Sequence, residues 1–203
     1  MKLYYIPGAC SMATHIMLRE LDADFELEAV DPVTGKTETG REFKNVNPKG
    51  YVPALELETG DVLTEGAAVL SYLADSAVPI IQPNEDGVLS RTRVLEWLTF
   101  TSSELHKSFS PLFLMSSSDE QKAQAVQTIS AKFDYLETQL ADGREFIVGE
   151  FFSVADAYLF VVVNWSNFKD ISLQQWPNLN QYVARISERP TVVAAMQAEG
   201  LGS

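Results

Sequence analysis

The first eighteen residues constrain this chain more than any other stretch. Leu3-Tyr4-Tyr5-Ile6 is a short run of apolar, β-forming residues, Pro7-Gly8 breaks it, and Ala9-Cys10-Ser11-Met12 leads into Ala13-Thr14-His15-Ile16-Met17-Leu18. That order predicts strand, turn, helix. It puts Cys10 and Ser11 at the first turn of a helix, where unpaired N–H groups and the dipole favour an anion such as a thiolate or a bound carboxylate. Cys10 is the single cysteine of the chain, and a helix N-terminus is where a thiol commonly ionises more readily. The alternative is a small thiol packed under the turn, since free cysteine is among the most buried residue types.

Beyond that helix the pattern stays mixed. Asp24 to Val30 alternates polar and apolar residues, the period of a half-buried strand. A turn-rich loop, Asp31 to Thr37, and a weak helical stretch around Gly40 to Asn45 follow. Asn47 to Pro53 is a second loop, entering Ala54-Leu55-Glu56-Leu57, and Thr59-Gly60-Asp61 is a hairpin signal before Val62-Leu63-Thr64. A helix over about Glu65 to Ser76 sets Ala68, Val69, Tyr72 and Leu73 at helical spacing. Strand, helix, strand, weak helix, hairpin, helix is a compact α/β unit of the thioredoxin type.

Two further junctions in this unit have chemical potential. Val52-Pro53 enters a strand: a trans proline there only limits pairing, the commoner case, whereas a cis one would leave the Val52 backbone open to an added peptide strand. Glu65 sits at a strand-to-helix turn. Its carboxylate either stabilises its own first turn or accepts from a ligand ammonium while the Gly66 N–H donates to a ligand carboxylate.

Charge excludes several functions. Twenty-eight acidic against 15 basic residues give −13, a field that repels nucleic-acid phosphates and anionic membrane surfaces. One cysteine forms no internal disulfide, the N-terminus has no signal-peptide layout, and no stretch approaches the roughly 20 apolar residues of a membrane span. These features point to a cytoplasmic protein without nucleic-acid or membrane partners, and no metal-binding cluster is anticipated.

Residues 79–87, bearing Pro, Asn and Gly, read as a linker between a domain over 1–78 and an all-helical domain over 88–203. Past it the period-2 signal vanishes. Val88 to about Met115 reads as one long helix with Val94, Leu95, Leu98, Leu105 and Phe109 as its apolar stripe, ended or kinked by Pro111. A helix opened by Ser116 to Glu120 runs to about Leu140. Ser153-Val154-Ala155-Asp156 is a capping box ahead of a helix apolar on every face, the centre of the helical domain; Ser153 and Asp156 are structural residues on this reading. Trp176-Pro177-Asn178-Leu179 starts another helix, and a last short one follows Arg189-Pro190. Phe109, Phe113, Trp165 and Phe168 read mostly as core, and His106 by itself as a satisfied interhelical histidine.

Taken together, five segments in order resemble the glutathione S-transferases, most closely the bacterial beta class. They are Tyr4-Tyr5-x-Pro7-Gly8-Ala9-Cys10-Ser11; Asn47-Pro48-Lys49-Gly50-x-Val52-Pro53-Ala54-Leu55; Leu63-Thr64-Glu65-Gly66 with Tyr72-Leu73-Ala74-Asp75; Glu104-Leu105-His106-Lys107-Ser108-Phe109-x-Pro111-Leu112; and Phe152 to Tyr158. The resemblance implies a thioredoxin-like domain followed by a helical bundle domain, a homodimer, and glutathione as co-substrate. It implies Cys10 beside the glutathione sulfur, Val52 pairing its backbone with the cysteinyl part ahead of a cis Pro53, and Glu65 and Gly66 on the γ-glutamyl end. His106 would reach the site with Ser103 and Glu104 near it. Departures from the pattern are Gly66 where serine is common, Gly35 with Lys36 beside it where a lysine is common, and Thr99 where asparagine is usual. Lys36 and Thr99 are the residues that would take over those glutathione contacts.

The implied activity joins the glutathione thiol to a hydrophobic electrophile, with Cys10, Ser11 and His106 stabilising the thiolate and Tyr5 a weaker donor. A cysteine in that position also admits glutathione-dependent disulfide exchange. A non-catalytic protein of the same fold that binds hydrophobic ligands or partners is the alternative.

Overall fold

Both faces of β1 (Lys2–Tyr5) are covered, which is why its sequence is a continuous apolar run rather than an alternating one. The computed structural model describes residues 1–76 and 87–202. In it β1 pairs in parallel with β2 (Glu26–Ala29) and antiparallel with β3 (Ala54–Glu56), and β4 (Val62–Thr64) completes a sheet of order β2-β1-β3-β4. Helices α1 (Ser11–Glu20) and α2 (Gly66–Ser76) pack on each other. A separate apolar cluster gathers Tyr4, Phe43, Val52 and Ala54, with the Tyr4 and Phe43 rings 5.7 Å apart. Tyr4 still satisfies its hydroxyl, donating to Glu56 Oε2 at 2.8 Å and accepting from Arg41 at 3.2 Å. The weak helical stretch is one 3₁₀ turn, Phe43–Asn45. On α2, Val69, Leu70, Leu73 and Ala74 are buried, whereas Ala68 and Tyr72 face outward.

The helical unit contains α3 (Gly87–Phe100), α4 (His106–Phe113), α5 (Asp119–Gln139), α6 (Val154–Phe168) and α7 (Pro177–Ser187). The expected single helix over 88–115 is instead two, separated by a π turn at Thr101–Leu105. Leu98, Leu105 and Phe109 are buried, but Leu95 is exposed. Pro111 lies inside the last turns of α4. The capping box closes at Ser153 and Asp156, and α6 is buried on nearly all sides. The linker read over 79–87 lies, except for Gly87, outside the described residues.

The C-terminal segment departs from the sequence reading. From Glu188 onward the chain belongs with the sheet-bearing unit, not the helical unit, because α8 (Pro190–Ala198) packs on α1. Arg189 forks onto the Glu20 carboxylate at 2.9–3.0 Å. Glu199 then enters beneath α1 with its carboxylate fully buried. One of its oxygens accepts from the Gly8 N–H at 2.9 Å and the other meets His15 Nδ1 at 2.8 Å. Arg19 Nε donates to His15 Nε2 at 2.9 Å. Since an arginine N–H can only donate, Nε2 carries no proton, so Nδ1–H donates to Glu199. Glu199→Ala takes the acceptor from a buried imidazole N–H and removes the carboxylate that the part-buried Gly8 N–H meets, and is expected to cost about 2–4 kcal/mol. Urea unfolding measures it, and a loss below about 0.5 kcal/mol, the size of an ordinary surface change, would show the contact to be incidental.

Candidate active site

Within the sheet-bearing unit the three junctions form one continuous rim. Cys10 is the residue at which α1 begins, partly exposed, with no side-chain cap to its own helix. Its Sγ–H donates to the Val52 carbonyl at 3.4 Å. The Val52–Pro53 peptide is cis. The loop ahead of it is fixed by buried Asn47, whose amide donates to the Tyr51 carbonyl at 2.7 Å and whose Oδ1 accepts from Lys49 N at 3.2 Å. Gly50 stands at φ +76°, a turn conformation suited to glycine. From this loop Lys49 pairs with Glu65, and the Tyr51 hydroxyl donates to Glu65 Oε1 at 3.1 Å.

Glu65 itself has φ +71°, the left-handed region that a non-glycine residue occupies at a cost of about 1–2 kcal/mol. Strain of this kind persists where surrounding structure holds it, and here the turn into α2 and the Lys49–Tyr51 arm do so. The exposed carboxylate therefore turns to the neighbouring loop.

Other anticipated residues sit differently. Ser11 is fully buried, and its hydroxyl accepts from Ile6 N at 3.3 Å and lies 3.4 Å from the Ile6 carbonyl. Its side chain closes the Pro7-Gly8 turn instead of facing a ligand. Tyr5 is buried, which lifts its hydroxyl pKa and keeps it protonated. Lys36 Nζ is 3.6 Å from Glu42 Oε1 in an exposed loop, away from the side-chain bonds that link Cys10, Val52 and Glu65 to their neighbours.

In the helical unit, His106 Nδ1 lies 2.9 Å from the Tyr158 hydroxyl, and its ring meets Trp165 edge-on at 4.7 Å. Burial, helped by Lys107, pushes its pKa down to about 4, so the ring is neutral at pH 7. The unfolded chain takes up this proton below about 6.5, the folded one only near 4. His106 thus contributes stability that is complete above pH 6.5 and lost as pH falls through 4, at most about 3 kcal/mol. Proton NMR of the two histidines checks it: the His106 ring signals are expected to stay at their neutral positions down to pH 5, and a midpoint above 6 would contradict the burial argument.

Thr99, Ser103 and Glu104 occupy another face of the same unit. The Thr99 hydroxyl donates to the Leu95 carbonyl at 2.7 Å, Ser103 Oγ to the Thr99 carbonyl at 2.8 Å, and Glu104 pairs with Lys132 of α5. They line an open groove of about 720 Å³ with Phe100 and Tyr135. His106 turns toward α6, so the helical unit does not bring these four residues together. Of the aromatic set, Phe109 and Trp165 are core, while Phe113 and Phe168 are about half exposed.

Residues 8–76 match the family described as glutathione S-transferase, N-terminal domain, and residues 100–190 its C-terminal domain. The glutathione S-transferase GstA of Escherichia coli O157:H7 is 43% identical over 99% of this chain and 100% of its own. The chain belongs to the glutathione S-transferase family. Among solved structures, that of a sphingomonad glutathione S-transferase complexed with glutathione is 46% identical, with a TM-score of 0.93 and full coverage of both chains. The bacterial beta-class transferase of Sphingomonas chungbukensis is 47% identical, covering 99% of this chain and 100% of its own at a TM-score of 0.94.

The geometry of this transferase brings in residues that local pattern does not single out. Lys49 and Tyr51 lie within the segment Asn47 to Leu55, but nothing in the spacing says that they reach a carboxylate sixteen and fourteen residues away. Glu199 acts on the turn that carries Cys10 across 191 residues of chain, a pairing no local pattern announces.

Proposed function

We propose that this protein conjugates the thiol of glutathione to hydrophobic electrophiles, with the rim from Cys10 through Val52 to Glu65 holding the tripeptide. The observation that carries this reading is the linkage of that rim by side-chain bonds within one unit: Cys10 to Val52, and Lys49 and Tyr51 to Glu65. Glu65 would take the γ-glutamyl ammonium, the Gly66 N–H its carboxylate, and the Val52 backbone the cysteinyl residue. Lys49, already on Glu65, is the cation for a tripeptide carboxylate, a task earlier given to Lys36. The helix end at Cys10 favours the thiolate. Ser11 acts through the turn that it closes.

The reading includes thiol-disulfide exchange, in which Cys10 sulfur attacks a glutathione mixed disulfide. The substrate thiolate leaves, Cys10 keeps the glutathionyl group, and a second glutathione thiolate releases it as glutathione disulfide. It also includes a cytoplasmic homodimer.

Calorimetric titration with glutathione and a conjugation assay with 1-chloro-2,4-dinitrobenzene test the core of this reading. Glu65→Ala is expected to raise Kd and KM for glutathione about 10–100-fold, the loss of one charge-assisted contact, with a smaller change in kcat. An unchanged Kd would remove Glu65 from the site.

A further inference from the structure

A cavity of about 350 Å³ lies wholly within the helical unit, between α3, the last turns of α5 and the loop over 144–149. From α3 it receives Arg93, Glu96 and Trp97, which the spacing i, i+3, i+4 sets on one face. Arg93 Nη1 donates to Glu96 Oε2 at 2.7 Å, and both side chains are more than half exposed. An ion pair so open to water contributes little. Among the described residues that carboxylate is the one acceptor met by the five N–H groups of the Arg93 guanidinium. Trp97 is only 7% exposed and stacks on Tyr135 of α5 at 5.9 Å, yet its indole N–H meets no acceptor among the described residues. A buried indole N–H ordinarily has a partner, so this donor is available to a guest. Half-exposed Tyr135 with Ile147 and Val148 supplies the apolar side. The loop wall is held in place by the protein itself. Ile147 N donates to Asp156 Oδ1 at 2.7 Å, and Arg185 Nη2 donates to the Arg144 and Glu145 carbonyls at 3.3 and 2.9 Å. The Arg144 guanidinium forks onto Asp142 at 2.7–3.1 Å, so its charge is already answered.

We infer that this cavity binds a free aromatic α-amino acid as its zwitterion. The ligand carboxylate takes Arg93 and the Trp97 N–H, the ammonium takes Glu96, and the ring lies on Tyr135 against Ile147 and Val148. The match is one of charge pattern. Opposite charges stand one turn apart on α3, and the ligand carries opposite charges on one carbon. A simple anion meets repulsion from Glu96, and a simple cation meets it from Arg93. The zwitterion instead replaces one exposed ion pair with two charge-assisted contacts and gives the indole N–H its acceptor. A cavity of this size suits one ring and its backbone group, at the lower end of the usual range for small-molecule sites. The fixed loop wall lets the ligand bind without ordering new chain. The inference stands apart from the conjugation reading, since every group that it uses lies in the helical unit and no bond forms or breaks.

The test titrates L-phenylalanine into nitrogen-15-labelled protein, whose three tryptophans give separate indole N–H signals by NMR. The Trp97 signal is expected to move downfield and saturate. That of Trp176, whose N–H already donates to Asp134 at 2.7 Å, is expected to stay. Taking away the ligand's ammonium (3-phenylpropanoate) or its carboxylate (2-phenylethylamine) is expected to raise Kd about tenfold, one charge-assisted contact each. Taking away the ring (L-alanine) is expected to raise it by at least about tenfold. In the protein, Glu96→Gln is expected to abolish the preference for L-phenylalanine over 3-phenylpropanoate and leave that over 2-phenylethylamine. Arg93→Met is expected to do the reverse. Both substitutions are on the surface, and the rest of each spectrum reports whether the fold is intact. A Trp97 signal unmoved at about 20 mM L-phenylalanine, an affinity too weak for a site, overturns the inference. So does an equal loss for all the ligands in both variants, or L-alanine binding as tightly as L-phenylalanine.

Discussion

Replacing Cys10 by alanine is expected to lower the reduction of a glutathione mixed disulfide by on the order of 10³-fold or more, while conjugation of a neutral aromatic electrophile falls by only about tenfold. The two reactions ask different things of this sulfur. In the proposed exchange, Cys10 is to form and then break a covalent bond, and as the single cysteine of the chain it has no substitute. In conjugation the nucleophile is glutathione's own sulfur. Cys10, at the start of α1 and bonded to the Val52 carbonyl at 3.4 Å, then serves only to order and polarise the site. Paired assays on wild type, Cys10→Ala and Cys10→Ser measure the split. Equal losses in both reactions would mean that Cys10 acts by a common route, through positioning of the thiolate. Disulfide reduction that survives in Cys10→Ala would remove it as the exchange nucleophile.

Asp156→Ala is expected to be the most damaging single change to the fold, at about 4–5 kcal/mol, since it strips several buried donors of one acceptor. The fully buried carboxylate accepts from Ile147 N at 2.7 Å, Ser153 N at 2.9 Å, Ser153 Oγ at 2.7 Å and the Tyr182 hydroxyl at 2.9 Å. Burial pushes its pKa up, and the hydrogen bonds from these donors pull against that shift. It caps α6, ties down the preceding loop and anchors α7, so three elements lose a common point. The thermal midpoint should fall about 10–15 °C, given the usual conversion for a chain of this size. Asp156→Asn, which keeps the shape and part of the accepting capacity, should lie between the two. A loss under about 1 kcal/mol in the alanine variant would mean that water replaces the carboxylate, and that the network is not what fixes α6.

Much of this was legible because it is local. The break at Pro7-Gly8 and the small residues after it set the strand-turn-helix around Cys10, and the Ser153–Asp156 spacing announced its own capping box. The uniformly apolar Tyr158 to Val163 run could only be a buried helix. Local pattern failed where geometry accumulates along the chain. A single helix over 88–115 assumes an uninterrupted 3.6-residue period, and a π turn at Thr101–Leu105 interrupts it. Ser11 looked like a site residue because it follows Cys10. Yet successive helical residues point about 100° apart, so the neighbour of a partly exposed cysteine lies under the turn.

By itself the sequence determined the order of elements, the two kinds of domain, the junctions bearing Cys10, Val52-Pro53 and Glu65, and a charge that turns polyanions away. These follow from hydrophobic period, turn chemistry and composition, which act over a few residues or sum over all of them. Tertiary structure alone decided that Lys49 and Tyr51 hold Glu65, that Glu199 braces the turn ahead of Cys10, that His106 packs partly buried against Tyr158 and Trp165, and that Lys169 lies on Phe113. Each joins segments whose separation along the chain carries no trace of their meeting, because the partner of a buried polar or charged group is chosen by the packing of whole elements.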